Sequence, residues 1–417
     1  MNKKSRSNRP STTDSDYQRT VISPGDAISR FAHQVCIGSF GNCKAIDVVP
    51  LQQGNFRGLA GYRLKKHILK DMLDNCATPN DSYLEVPQND GAGGKPQFFT
   101  LVNEKRHWEN LAWEILTMVG DDLGARMCLP MILTNQIDFK QVTDSNIQSA
   151  KAILRGFKRA LRETSIVNMT GETAIMRHST TAFCDLNLPN QLVMTWAGSG
   201  IGLSHGRRYI DGSTIRPMML IIALLESGYR CNGGTFFTKL LLAKYGSVEA
   251  ILNSPEALSF VRSLVVPSKY YSHSLCRIGG WLPDGGLTKP LAKIHGIAHI
   301  TGGGVFGKFP EILPEGVCAV LDQMPEPPKV LLQAQAWSEE FPELQMSDYG
   351  AYSDLNGGVG MLAVVEPGDA EQFMCELAND GISSQIVGLT GHDRGKPNQR
   401  VQIRSQFASR DWVTGPK

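Results

Sequence analysis

The residues best suited to chemistry are carboxylates and a lysine set among glycines. Asp90-Gly91-Ala92-Gly93-Gly94-Lys95 follows Tyr83-Leu84-Glu85-Val86, an alternating stretch of strand type. Glycines let backbone N–H groups approach a phosphate closely, Asp90 suits a hard cation, and Lys95 can neutralise a phosphate oxygen. The spacing fits neither a Walker A loop nor the dinucleotide fingerprint. An ordinary glycine turn reads the same way. Asp121-Asp122 falls at the end of a predicted helix, where carboxylates oppose the helix dipole unless they are solvated or hold a cation. Gly171-Glu172-Thr173 closes a predicted strand, the place where ligand crevices of open α/β sheets lie. A solvated glutamate is the plain alternative.

Two further glycine turns, Gly228 to Gly234 and Thr301-Gly302-Gly303-Gly304, read as strand-to-helix turns able to bind anions. His299, just before the second, has the chemistry of a proton shuttle, although a lone histidine beside a strand is more often a satisfied structural group. Cys43-Lys44 sets a thiol next to a cation, against the common inertness of free cysteines.

These residues need elements to position them. Apolar spacing predicts a helix over 108–119 and another over 144–161, which Asp144 can cap. Strands are expected at 83–86, 130–133, 166–169, 192–197, 218–224 and 361–365. Each half of the chain mixes strands and helices, so the expected fold class is α/β (α+β) in two domains. The boundaries are a disordered tail over 1–22, an N-terminal domain over 23–206 and a C-terminal domain over 207–417, with Ser204 to Pro217 as connection.

Bulk properties narrow the function classes. With 417 residues, 41% hydrophobic and 20% charged, the chain is ordinary globular material long enough for two cores. A net charge of +2 gives no footprint for nucleic acid or an anionic membrane. Nine cysteines without a CxxC pair, and no apolar leader, fit a soluble cytoplasmic protein.

Singly these motifs are weak, but in order and spacing they resemble aminoimidazole ribonucleotide synthetases. The resemblance runs through Asp90 to Lys95, Asp121-Asp122-Leu123, Gly171 to Ala174, Ser227-Gly228 with Asn232-Gly233, and His299 to Gly304. It continues in Phe309 to Pro314 and Asn356 to Met361, and so spans roughly residues 80 to 390. It implies an N-terminal mixed sheet that pairs across a homodimer, a C-terminal α/β domain, and an ATP- and Mg²⁺-dependent ligase of purine biosynthesis. Such an enzyme phosphorylates the amide oxygen of formylglycinamidine ribonucleotide and closes the imidazole ring. By position, the resemblance places Asp90, Asp122 and Glu172 on the metal. It places Gly91, Gly93, Lys95, Thr173, Thr301, Gly302 and Gly303 on the nucleotide or its phosphates. Arg230, Asn232 and His299 then belong to the catalytic set, facing a small ribonucleotide.

Departures fall on the substrate side. Gly94 replaces a usual threonine, Arg230-Cys231 a His-Ser, and Glu311 an arginine. Another ATP-dependent phosphorylation, or an inactive nucleotide-binding homologue, therefore stays open. Selenophosphate synthetase is suggested only by Cys43-Lys44. Thiamine-phosphate kinase and the hydrogenase maturation member lack the His299 to Gly304 segment.

Overall fold

The structure is a computed structural model that describes residues 23–50, 60–75, 82–393, 395 and 400–415. The tail expected over 1–22 lies outside them. A small hairpin, β1 (Ile46–Pro50) with β2 (Ala60–Leu64), precedes two larger sheets. The first is four-stranded, in the order β3 (Tyr83–Gly91), β6 (Met194–His205), β4 (Leu129–Phe139), β5 (Val167–Ile175). Its pairs are antiparallel except β4 with β5, so it is a mixed sheet.

Alternation along β6 shows how this sheet sits. Met194 and Trp196 are buried, whereas Thr195 and Ala197 are exposed. The buried side packs on the Ala112–Gly124 and Ile147–Glu163 helices, with the Trp196 ring 5.0 Å from that of Phe157. The second helix carries the expected stripe of Ala150, Ile153, Leu154 and Phe157, all buried. It starts after Asn146, however, whose Oδ1 accepts from the Thr143 backbone, so Asp144 does not cap it. The other side of the sheet, with Gln136, Glu172, Thr195 and Ala197, is open. β5 also continues through Glu172 to Ile175, so this glutamate lies within a strand and not at its exit.

The second sheet has seven strands, in the order β13 (Trp412–Thr414), β12 (Val401–Arg404), β9 (Val317–Leu321), β11 (Ser384–His392), β7 (Leu220–Leu225), β10 (Val359–Val365), β8 (Ile294–His299). Its central strands are near-continuous apolar runs because both faces are covered. Ile222, Leu224, Met361 and Ala363 face the Ser272–Ile278 and Ala370–Asn379 helices. Ile221, Ala223, Leu362 and Val364 face the Gly234–Tyr245, Pro255–Leu264 and Lys329–Ser338 helices. Both large sheets mix with helices, as expected of an α/β (α+β) chain. No helix among the described residues is long and apolar enough to cross a membrane.

Candidate active site

Three glycine turns meet where the two sheets' layers touch. After β3 the chain turns through 92–95 into the Pro96–Val102 helix. Gly93 has φ +55°, and a Cβ there would stand 2.5 Å from the carbonyl oxygen of Cys231. Only glycine lets these two turns press together. A Cβ on Gly302 would reach 3.3 Å from Oδ1 of Asn232, which brings the third turn alongside. Nδ2 of Asn232 is buried there without a hydrogen-bond partner, a donor left unspent by the fold. Gly91, Gly93, Asn232, Thr301, Gly302 and Gly303 are thus gathered in one place.

Beside this floor stand Asp90, Asp122, His299 and Lys308. The Ala112–Gly124 helix delivers Asp122, and β8 delivers His299, whose Nδ1 lies 2.6 Å from Asp122 Oδ1. Gln88, two residues before Asp90 on β3 and so on the same face, donates to Asp122 Oδ2 at 2.5 Å. A cleft of about 260 Å³ opens here, lined by Gln88, Asp122, Arg126, His299, Lys308 and Glu311.

The two carboxylates are pushed in opposite directions. Burial raises Asp90 above the usual carboxylate range, and the neighbouring Asp122 charge adds to this against the Gly91 N–H, His299 and Lys308. Burial also presses Asp122 upward, but the His299 hydrogen bond, with Gln88 and Lys308, outweighs it and holds the group low. Adjacent carboxylates separated in this way are a recurrent mark of functional sites.

The structure places several expected residues elsewhere. Lys95 is fully buried, with Nζ 2.9 Å from Glu114 Oε1, and donates to the Tyr229 and Val266 carbonyls and to Ser268. All its donors are engaged, so it binds the two halves together and has no reach to a phosphate. Arg230 is equally hidden, paired with Glu226 at 2.9 Å and Asp121 at 3.1 Å, and therefore does not face a substrate. Asp121 and Asp122 differ accordingly, the first locked inside and the second lining the cleft.

Glu172 does not join Asp90 and Asp122 within one chain. Asp90 shares a register row with Gly198, Asn135 and Gly171, whereas Glu172 lies in the next row with Gln136, Ala197 and Gly91. The two are three strand spacings apart, roughly 14 Å, and point to opposite faces. Among the described residues no group of three or more His, Cys, Asp and Glu is placed to hold an ion. Thr173 spends its hydroxyl on Ser29 at 2.6 Å, in the wall of a separate cavity of about 350 Å³ under the first helix. Cys43 is buried, and burial pushes its thiol up, which removes the reactive-pair reading.

Residues 287–396 match the family model described as AIR synthase related protein, C-terminal domain. That span holds His299, the Thr301 to Gly304 turn, Lys308 and Glu311. The phosphoribosylformylglycinamidine cyclo-ligase of Staphylococcus carnosus (strain TM300) is 24% identical over 303 residues, covering 73% of this chain and 79% of its own. That of Staphylococcus saprophyticus is 24% identical over 320 residues, covering 77% and 83%. The chain is thus similar to an AIR-synthase-related C-terminal domain over residues 287–396 and to cyclo-ligases over about three quarters of its length. Among solved structures, the hydrogenase maturation protein HypE of E. coli superposes with a TM-score of 0.53 at 15% identity, over 92% of this chain and 94% of that one. A HypE structure in complex with ATP gives 0.51 at 13% identity, over 82% and 88%. At such identity these two neighbours establish the AIR-synthase-related fold alone.

Sequence reasoning missed Gln88, Glu114, Glu226 and Lys308. The period of two along β3 marks Gln88 as a neighbour of Asp90. Glu226 lies four residues before Arg230, a spacing that could have marked the pair, whereas Glu114 meets Lys95 only through the packing of the Ala112–Gly124 helix on the turn after β3.

Proposed function

We propose that the chain is an ATP- and Mg²⁺-dependent enzyme that activates an amide oxygen of a small ribonucleotide and closes a ring on it, as a cyclo-ligase or a close variant. The observation that carries this is the Asp90–Asp122 pair, set at different protonation poise where three glycine turns converge on a cleft. Two adjoining carboxylates are oxygen donors that suit a hard cation, and a cation would relieve the repulsion that helps to raise Asp90. Bound there, Mg²⁺ would neutralise phosphate oxygens. Asp122 is already oriented by His299 and Gln88, so its direction is set before any ligand arrives. The glycine turns offer close backbone approach, and Asn232 offers an unspent amide donor. Such chemistry needs positioning and charge neutralisation rather than a protein nucleophile. The names of the two staphylococcal relatives support the reading.

The open side of the four-stranded sheet, which carries Glu172, is proposed as the face on which two copies pair. Glu172 would then belong to the dimer interface rather than to the cleft of its own chain.

The test is to incubate the full chain with ATP, Mg²⁺ and formylglycinamidine ribonucleotide. The expected products are aminoimidazole ribonucleotide, ADP and inorganic phosphate in equal amounts. ADP without the aminoimidazole would point to a different phosphoryl acceptor. No ATP turnover and no nucleotide binding would overturn the proposal.

A further inference from the structure

We propose that Arg230 is a positioning residue that fixes the ring of His299 as a hydrogen-bond donor to Asp122. This rests on placing Asp122 in the functional site, but the geometry behind it needs no ligand. A guanidinium has N–H donors and no acceptor. Nη2 of Arg230 lies 2.9 Å from Nε2 of His299, so a hydrogen bond between them requires Nε2 to present its lone pair. The ring then carries its proton on Nδ1, which faces Asp122 Oδ1 at 2.6 Å. One nitrogen is spent on accepting and the other on donating.

Arg230 has no room to withdraw. Nη1 donates to Glu226 Oε2 at 2.9 Å and to the Lys269 carbonyl at 3.2 Å, and Nη2 donates to Asp121 Oδ2 at 3.1 Å. Asp121 is held in turn by the backbone N–H groups of Tyr271 and Ser272, at 2.9 and 3.0 Å, and by the Ser272 hydroxyl at 2.8 Å. The guanidinium also stands 5.5 Å over the Tyr271 ring. A line of fixed contacts thus runs from Glu226 and Asp121 through Arg230, His299 and Asp122 to Gln88. It aims the Asp122 carboxylate from both oxygens, in the way that outer partners orient groups in preorganised sites.

Long-range ¹H–¹⁵N spectra of the full-length protein, labelled at histidine, read this directly near neutral pH, with His299→Asn assigning the signal. The expected result is a protonated-type shift for Nδ1 and an unprotonated-type shift for Nε2. Arg230→Lys keeps a cationic donor and should keep that pattern, whereas in Arg230→Met the Nε2 signal should move, because its hydrogen bond is lost. A protonated Nε2 in the unmodified protein would overturn the proposal. An Arg230→Met protein whose Nε2 signal is unmoved would overturn it as well. The first measurement requires no variant at Arg230 and no ATP, so its outcome is separate from the fate of the proposed reaction.

Discussion

Nη2 of Arg230 and Nε2 of His299 stand 2.9 Å apart, with the arginine side chain 1% exposed and the histidine side chain 4%. Removing Arg230 strands the carboxylates of Glu226 and Asp121, both 0% exposed. Breaking one side of a buried pair costs about 3–5 kcal/mol. Arg230→Ala should therefore lower the unfolding free energy by about that amount in a denaturant titration. A loss under about 1 kcal/mol would show that the network carries no weight.

Lys95 gives a second test of burial against phosphate contact. Lys95→Met should destabilise strongly, since Glu114 is left charged and enclosed. Adding Glu114→Leu should recover much of the loss, with a coupling of about 1–3 kcal/mol in the double-mutant cycle. If Lys95→Met unfolded like the parent yet abolished nucleotide binding, the lysine would be a phosphate ligand after all.

The two site carboxylates should respond to pH with opposite signs. Asp122 is held below the usual range, so its charge stabilises the fold above that range, and this gain is lost as pH falls through the lower folded value. Asp122→Asn should lower Tm at neutral pH, and the gap to the parent should close in acid. Asp90 is raised, so its charge costs stability above the usual range. Asp90→Asn should leave the ligand-free protein more stable at neutral pH, by about 0.5–1 kcal/mol. Thermal unfolding of both variants across pH checks this, and a Tm change of the same sign in both at neutral pH would contradict it.

Association is tested on the open sheet face. Ala197 and Thr195 are exposed there, at the centre of the proposed contact. Light scattering should find a dimer for the parent and, for Ala197→Arg, association weakened by about tenfold or more, since an unpaired buried charge costs more than 1.4 kcal/mol. A parent that stays monomeric at micromolar concentration would remove the dimer.

What the sequence made legible is what leaves a local trace. The turn at 90–95 and the turn at 301–304 are marked by glycines that close backbone approach demands, as at Gly93 and Gly304. The stripe from Ala150 to Phe157 follows helical spacing, and the alternation at 83–86 follows a strand. The rest depends on contacts between distant segments. A lysine or arginine in a glycine turn looks solvent-facing until Glu114 closes around the one and Asp121 around the other. Gly171 looks like the end of a strand, yet β5 continues because its ladder with β4 runs on to the Phe139–Ile175 pair. That single register separates Glu172 from Asp90, which chain order alone could not show.

The measurement closest to the central claim is calorimetric titration of Mg-ATP into the unmodified chain, Asp90→Asn and Asp122→Asn. The account predicts binding by the parent that disappears when Mg²⁺ is chelated. Each variant should bind at least about 100-fold more weakly, a difference of about 2.8 kcal/mol, while staying folded. Equal affinity in all three proteins, or no binding by the parent, would contradict the assignment of Asp90 and Asp122 to a nucleotide site.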